Sequence, residues 1–164
     1  MRKFLLPFLI VVAAVAVGAG SALAAKPAPK KTVAFTASYS GSATTKVDGT
    51  TATIAATGTG TGTLVGAGKL TGTGTADTSQ QPCVPFGGTA TIAAAKGTLG
   101  FQLKSDASGC GDDGGHVFTL SGHATVTSST GAIKKAKGAS LRFTGVFNRD
   151  DGTFTVKFTG TVKK

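Results

Sequence analysis

Residues 140–162 read SLRFTGVFNRDDGTFTVKFTGTV, two alternating runs on either side of an Asp-Gly turn. Leu141, Phe143, Gly145 and Phe147 share one face of the first run. Phe154, Val156, Phe158, Gly160 and Val162 share one face of the second. Ser140, Arg142 and Thr144, then Thr153, Thr155, Lys157, Thr159 and Thr161, take the opposite faces. A period of two around such a turn is the signature of a β-hairpin with one apolar and one solvated face. Four of the chain's ten Phe lie on the apolar face, and each contributes roughly 1.5–3 kcal/mol when fully buried. The hairpin is therefore expected to anchor the core through Phe143, Phe154 and Phe158.

The same rule runs through the rest of the chain. Val33, Phe35, Ala37, Tyr39, Gly41, Ala43, Thr45 and Val47 form one face of a first long run that ends at an Asp48-Gly49 turn. Across residues 50–65, Ala52, Ile54, Ala56, Gly58, Gly60, Gly62 and Leu64 alternate with a row of Thr. Gly inside a strand costs roughly 0.5–1 kcal/mol against Ala, so three in a row imply a use: room for neighbouring Phe rings, or a bend in the wall. Leu70, Gly72, Gly74 and Ala76 continue the pattern. Residues 77–87, with two prolines and Cys83, break it and read as a loop. Strands follow at 88–94 and 98–104, the second with Leu99, Phe101 and Leu103 inward. Residues 105–115 read as a second loop, and 116–127 as a strand with Phe118, Leu120, Gly122, Ala124 and Val126 inward. Eight alternating runs with short links and no helical period predict an all-β fold, a single antiparallel eight-stranded up-and-down β-barrel. A two-sheet β-sandwich is the alternative.

The N-terminus stands apart. Arg2 and Lys3 precede an apolar run, residues 4–17, that is short for a membrane span, and Ala22-Leu23-Ala24 is a small-x-small cleavage site. Residues 1–24 thus read as a cleaved signal peptide, with an uncleaved anchor as the alternative. Residues 25–31 (AKPAPKK) read as a linker and 32–164 as one barrel domain. The expected location is secreted, extracellular or periplasmic, with no membrane span in the mature chain and a monomeric state. Two cysteines in an exported chain predict a Cys83–Cys110 disulfide. The strands 88–94 and 98–104 should pair about the tight turn 95–97, and this brings the loops that carry the two cysteines to one rim. No C-x-x-C accompanies them.

The chain carries 17 basic and 7 acidic residues, and every acid is Asp. Losing Arg2 and Lys3 with the signal leaves 15 against 7, a net charge of +8. Such a balance suits an anionic cell-envelope polymer or acidic lipid heads. The cations are not interleaved with aromatics, and this sets nucleic acid aside as a partner. Two residues are candidate ligand contacts: His116, which opens the inward face of its strand near the barrel mouth, and Tyr39, the one Tyr, on an inward face. His116 and His123 fall on opposite faces of one strand and cannot share a metal. Asp106, Asp112 and Asp113 lie in a Gly-rich loop but miss the spacing of a calcium loop, and a solvated loop is the plainer reading. No G-x-S-x-G elbow is present. The sequence therefore shows no catalytic residues, no metal site and no cofactor.

One segment resembles a known family. Residues 128–138, SSTGAIKKAKG, resemble the motif G-G-T-G-x-F-x-G-A-x-G of the allene oxide cyclase and dirigent barrels, which are eight-stranded antiparallel barrels of the calycin type. Thr130, Gly131, Ala136 and Gly138 match; Ser128, Ser129, Ile133 and Lys135 depart from the motif. Gly115, His116 and Val117 open the preceding strand as in those families, and residues 154–162 are similar to their closing strand. The motif there is structural, so the resemblance implies a barrel and assigns no catalytic residue. Two function classes follow. One is an exported non-catalytic barrel that binds a small apolar ligand or an anionic envelope component. The other is a cyclase/isomerase-type or dirigent-like barrel acting at its mouth. A cavity furnished with titratable groups distinguishes the second from the first.

Overall fold

The computed structural model describes residues 31–163. The signal read from residues 1–24 and all of the linker except Lys31 lie outside them. Nine strands form: β1 (Thr32–Asp48), β2 (Thr51–Gly62), β3 (Gly66–Asp77), β4 (Cys83–Ala94), β5 (Gly97–Leu103), β6 (Ser108–Gly111), β7 (Val117–Ser129), β8 (Ser140–Asn148) and β9 (Thr153–Lys163). Among the described residues the one helical element is a 3-10 turn, Gly131–Ile133, and no helix is long and apolar enough to cross a membrane.

Every pairing is antiparallel, and the sheet closes on itself. The order β3-β2-β1-β9-β8-β7-β5-β4 is completed by β3 pairing with β4. Eight staves form a barrel, so the two-sheet sandwich is not the architecture. The opening hairpin behaves as its pattern predicts. Leu141, Phe143, Phe154, Phe158 and Val162 are buried, and Phe143 lies across from Phe158. In β2, Gly58 gives the room expected of it: a Cβ there would stand 3.0 Å from the Phe154 ring and 2.6 Å from the Ser40 carbonyl oxygen.

Three readings need correction. Residues 105–115 are not simply a loop, because they contain β6, which pairs with both β4 and β7. Together β5 and β6 make one stave in two pieces. From Gln102 to Ser108 this stave advances six residues while its partner β4 advances four, from Thr89 to Pro85. The surplus is taken up by residues 104–107, where Ala107 turns into the interior beside Gly122. A Cβ on Gly122 (φ +147°) would lie 2.6 Å from the Ala107 Cα, so the wall closes over the break only because this position has no side chain. Second, β4 starts at Cys83 rather than Gly88. Phe86 N–H donates to Ala107 O and Gly111 N–H to Pro82 O, so Pro85 faces β6 at a pair that asks no N–H of it. Third, Val47 is 63% exposed; the β1–β2 turn stands above the rim, and the inward face of β1 loses its cover beyond Ala43.

The disulfide forms as expected, with both cysteines on strands. Cys83 and Cys110 are register partners in the close, non-hydrogen-bonded kind of pair, 3.9 Å apart at Cα. The barrel ends differ. At one end Val65, Ile133 and Ala136, all within 2% of complete burial, fold in from the β2–β3 and β7–β8 connections and close the interior. Beneath them Phe35, Ile92, Leu99, Phe101, Leu141 and Val162 are packed with 1% exposure or less. The other end bears the β1–β2, β3–β4, β6–β7 and β8–β9 connections and is open.

Candidate functional site

The half of the barrel toward the open end holds a cavity of about 180 Å³. Its walls are Ile54, Ala56, Leu70, Phe86, Ala90, Leu103, Leu120, Phe143, Phe147, Phe154, Val156 and Phe158, with Gly72, Gly74, Gly87 and Ala43 supplying bare backbone or a single methyl. Thr45, on the inward alternation of β1, is the hydroxyl-bearing side chain of the lining; Thr73 and Thr89 fall between the inward positions of β3 and β4 and are exposed, and no ionisable side chain takes part in the lining. The sequence accounts for the space. Along β3 and β4 the inward positions are Gly, Gly and Ala opposite Gly and Ala, as in the Gly72–Ala90 and Gly74–Gly88 pairs, and the Phe rings from β8 and β9 do not reach far enough to fill it. The floor is aromatic: Phe143 and Phe158 lie 6.2 Å apart, and Phe158 stacks on Phe101 at 5.3 Å.

The rim of this end is built from Asp side chains. Asp77 accepts from the Ser79 hydroxyl at 2.6 Å and its N–H at 3.0 Å. Asp151 does the same with Thr153, at 2.7 and 2.8 Å. Asp112 accepts from the backbone N–H groups of His116 (2.7 Å) and Val117 (3.3 Å). Asp106, in the β5–β6 link, bonds His123 through both its N–H and its Nδ1. These donors stabilise the ionised carboxylates and hold all four below the usual carboxylate range. At Asp77 and Asp151 the short side chain reaches the backbone N–H two residues on, a reach that suits Asp.

His116 stands just before β7 on this rim, with its Nδ1 2.9 Å from Asp150 in the β8–β9 turn. The hydrogen bond and charge of Asp150 raise its pKa above the ordinary histidine value. Its side chain is 55% exposed and does not line the cavity. Tyr39 is buried in the core, also away from the lining. Its hydroxyl has no hydrogen-bond partner among the described residues, and burial pushes the phenol's pKa up. The structure therefore does not bring the two candidate contacts together. The cavity is instead made by residues that the sequence marks only as inward-facing. The His116–Asp150 and His123–Asp106 pairs escape sequence reading, since each joins residues 34 or 17 positions apart across connections without a period. Among the described residues no group of three His, Cys, Asp or Glu side chains is placed to hold a metal.

Comparison with known proteins finds no matching family model, curated protein or solved structure.

Proposed function

We propose that the protein is a non-catalytic binding barrel that takes a small, uncharged, apolar molecule through its open end. The observation that carries this reading is the one-ended cavity of about 180 Å³ with an aliphatic and aromatic lining. A dry apolar cavity of about 150 Å³ is enough to bind a benzene-sized guest, while drug-sized ligands take roughly 300–1,000 Å³. The guest is therefore a single substituted ring or a short branched hydrocarbon. The Thr45 hydroxyl, toward the open end of the lining, can orient one oxygen of such a molecule. The Cys83–Cys110 bond belongs to the chemistry of oxidising compartments, in keeping with an exported carrier. Cyclase- or dirigent-like chemistry, the other class that follows from the resemblance of residues 128–138, calls for a pocket furnished with polar groups that hold the substrate. The carboxylates and histidines at this end are engaged in rim turns outside the lining, so the geometry favours binding over turnover.

The test is thermal unfolding and aromatic NMR of the protein titrated with p-xylene and with larger and smaller uncharged rings. Ligand at about a hundred times its Kd should add roughly 2.7 kcal/mol to stability and shift the Phe154 and Phe158 resonances. The Ala90→Phe variant, which fills the space, should bind none of them. Failure of every ring in the series to raise the melting temperature, or unaltered binding by Ala90→Phe, would end this reading.

A further inference from the structure

The charges of this barrel are sorted by end. Six of the seven Asp lie at the ends of strands and in the turns of the open end: Asp48, Asp77, Asp112, Asp113, Asp150 and Asp151. The seventh, Asp106, is in the β5–β6 link. The closed end has no acidic side chain. It presents Lys31 and Lys163 beside each other where β1 begins and β9 ends, Lys96 in the β4–β5 turn, and Lys134, Lys135 and Lys137 in the β7–β8 connection, all exposed. The fold gathers half of the described cations onto one end.

We infer that the closed end is a docking face for an anionic lipid surface. Three observations select this partner among polyanions. The lysines ring a disc, the end of a barrel, and a disc meets a plane of charge in full, whereas a threadlike polymer is matched by a strip along a wall. No aromatic side chain lies among them to stack a base. The linker, with Lys26, Lys30 and Lys31, joins the barrel on this same face and adds to its positive charge. The exposed large hydrophobic residues, Val47, Val117 and Val146, belong to the other half, so the contact is electrostatic and sits at the headgroups without insertion. Its consequence is orientation: with the lysines on the bilayer, the mouth of the cavity faces the medium and the acidic rim is held away from the lipid charge. The inference stands on charge placement and is independent of what the cavity binds.

The experiment is flotation of the mature chain, residues 25–164, with vesicles of phosphatidylcholine alone and of equimolar phosphatidylcholine and phosphatidylglycerol. Both vesicles offer the same acyl interior, so any difference reports charge. The wild-type protein should prefer the anionic vesicles and lose that preference at high salt. Each lysine near such a surface is worth about fivefold in partitioning. The Lys96→Ser/Lys134→Ser/Lys137→Ser variant should therefore bind the anionic vesicles roughly a hundredfold more weakly. A control of the same net charge, Lys46→Ser/Arg149→Ser/Lys157→Ser, should bind nearly as well as wild type. Equal losses in the two variants would reduce the effect to net charge and overturn the docking face. So would equal flotation with the two vesicle types, or retention on polyphosphate without flotation on phosphatidylglycerol. Circular dichroism of both variants separates a lost face from a lost fold.

Discussion

The two halves of the barrel obey one alternating pattern and reach opposite results. Toward the closed end Phe35, Ile92, Leu99, Phe101 and Leu141 fill the interior to 1% exposure or less. Toward the open end the equivalent inward positions are Ala43, Ala56, Gly72, Gly74 and Ala90, and about 180 Å³ is left unfilled by side chains. An eight-stranded barrel is just wide enough for side chains to fill it. Period therefore decides which residues face inward, and volume decides whether the inside is a core or a pocket.

The sharpest way to break this comparison is to remove one ring from each half. Phe101→Ala, within the packed half and stacked on Phe158, should cost about 3–5 kcal/mol in urea unfolding. Phe147→Ala, half-buried over the cavity, should cost about 1–2 kcal/mol, and the outward Lys157→Ala under about 0.5 kcal/mol. Equal losses from the two Phe variants would mean that the halves are packed alike.

Next in size is the disulfide. Replacing Cys83 and Cys110 by Ala releases a closure of 27 residues, about 3.5 kcal/mol in the chain-entropy view. Amide exchange should quicken in β6 and in the adjoining starts of β4 and β7. Phe35, Leu141 and Val162 should keep their protection; uniform acceleration would show that the halves melt as one unit.

Adding volume should discriminate in the reverse sense. Ala37→Leu, on a buried inward position at 1% exposure, should cost about 1–3 kcal/mol through overpacking. Ala90→Leu grows into the cavity and should change stability by less than about 0.5 kcal/mol. Chemical denaturation of the pair measures the contrast directly, and a similar cost at both sites would deny the cavity.

The smallest effect is at the rim. Asp150→Asn should return the His116 pKa, followed by its ring resonances in NMR, toward the ordinary value; an unchanged titration would remove Asp150 as its cause. The sign of the linkage follows from the direction. His116 has a raised folded pKa, so its contribution is complete below about pH 6.5 and is lost as pH rises through the folded value. Asp77, Asp106, Asp112 and Asp151 have lowered values, so theirs is present above about pH 3.9 and is lost as pH falls through the folded values. Asp77, Asp112 and Asp151 are on the open rim, which should loosen first in acid.

Much of the barrel was legible because facing is a local property. Leu141, Phe143, Phe154 and Phe158 declare their side by position alone, and the turns at Asp48-Gly49 and Asp151-Gly152 declare where the chain reverses. The disulfide was legible because one tight turn, 95–97, fixed which strand ends meet. β6 was not, since Ser108, Gly109, Cys110 and Gly111 have no apolar alternation and become a strand only when β4 and β7 leave a gap of their length. The cavity lay out of reach for a different reason: the Gly and Ala of β3 and β4 are consistent with close packing or with empty space, and the positions of rings on β8 and β9 decide between them. The gathering of lysines at one end was hidden too, because Lys31, Lys96, Lys134 and Lys163 are distant in sequence and only the up-and-down path stacks their turns together.

The two-piece stave gives the wall its one place to part. A closed barrel has no loose edge by which a partner or a guest can pry it apart, and the hydrogen-bonded staves flanking β5 and β6 run unbroken past the break. β6 holds to β4 by three register pairs and to β7 by four; were it to swing out, the cavity would gain a side door between Phe86 and Leu120. The Cys83–Cys110 bond is a bolt across that door: it ties β6 covalently to β4 near the open end of the stave and holds the wall shut.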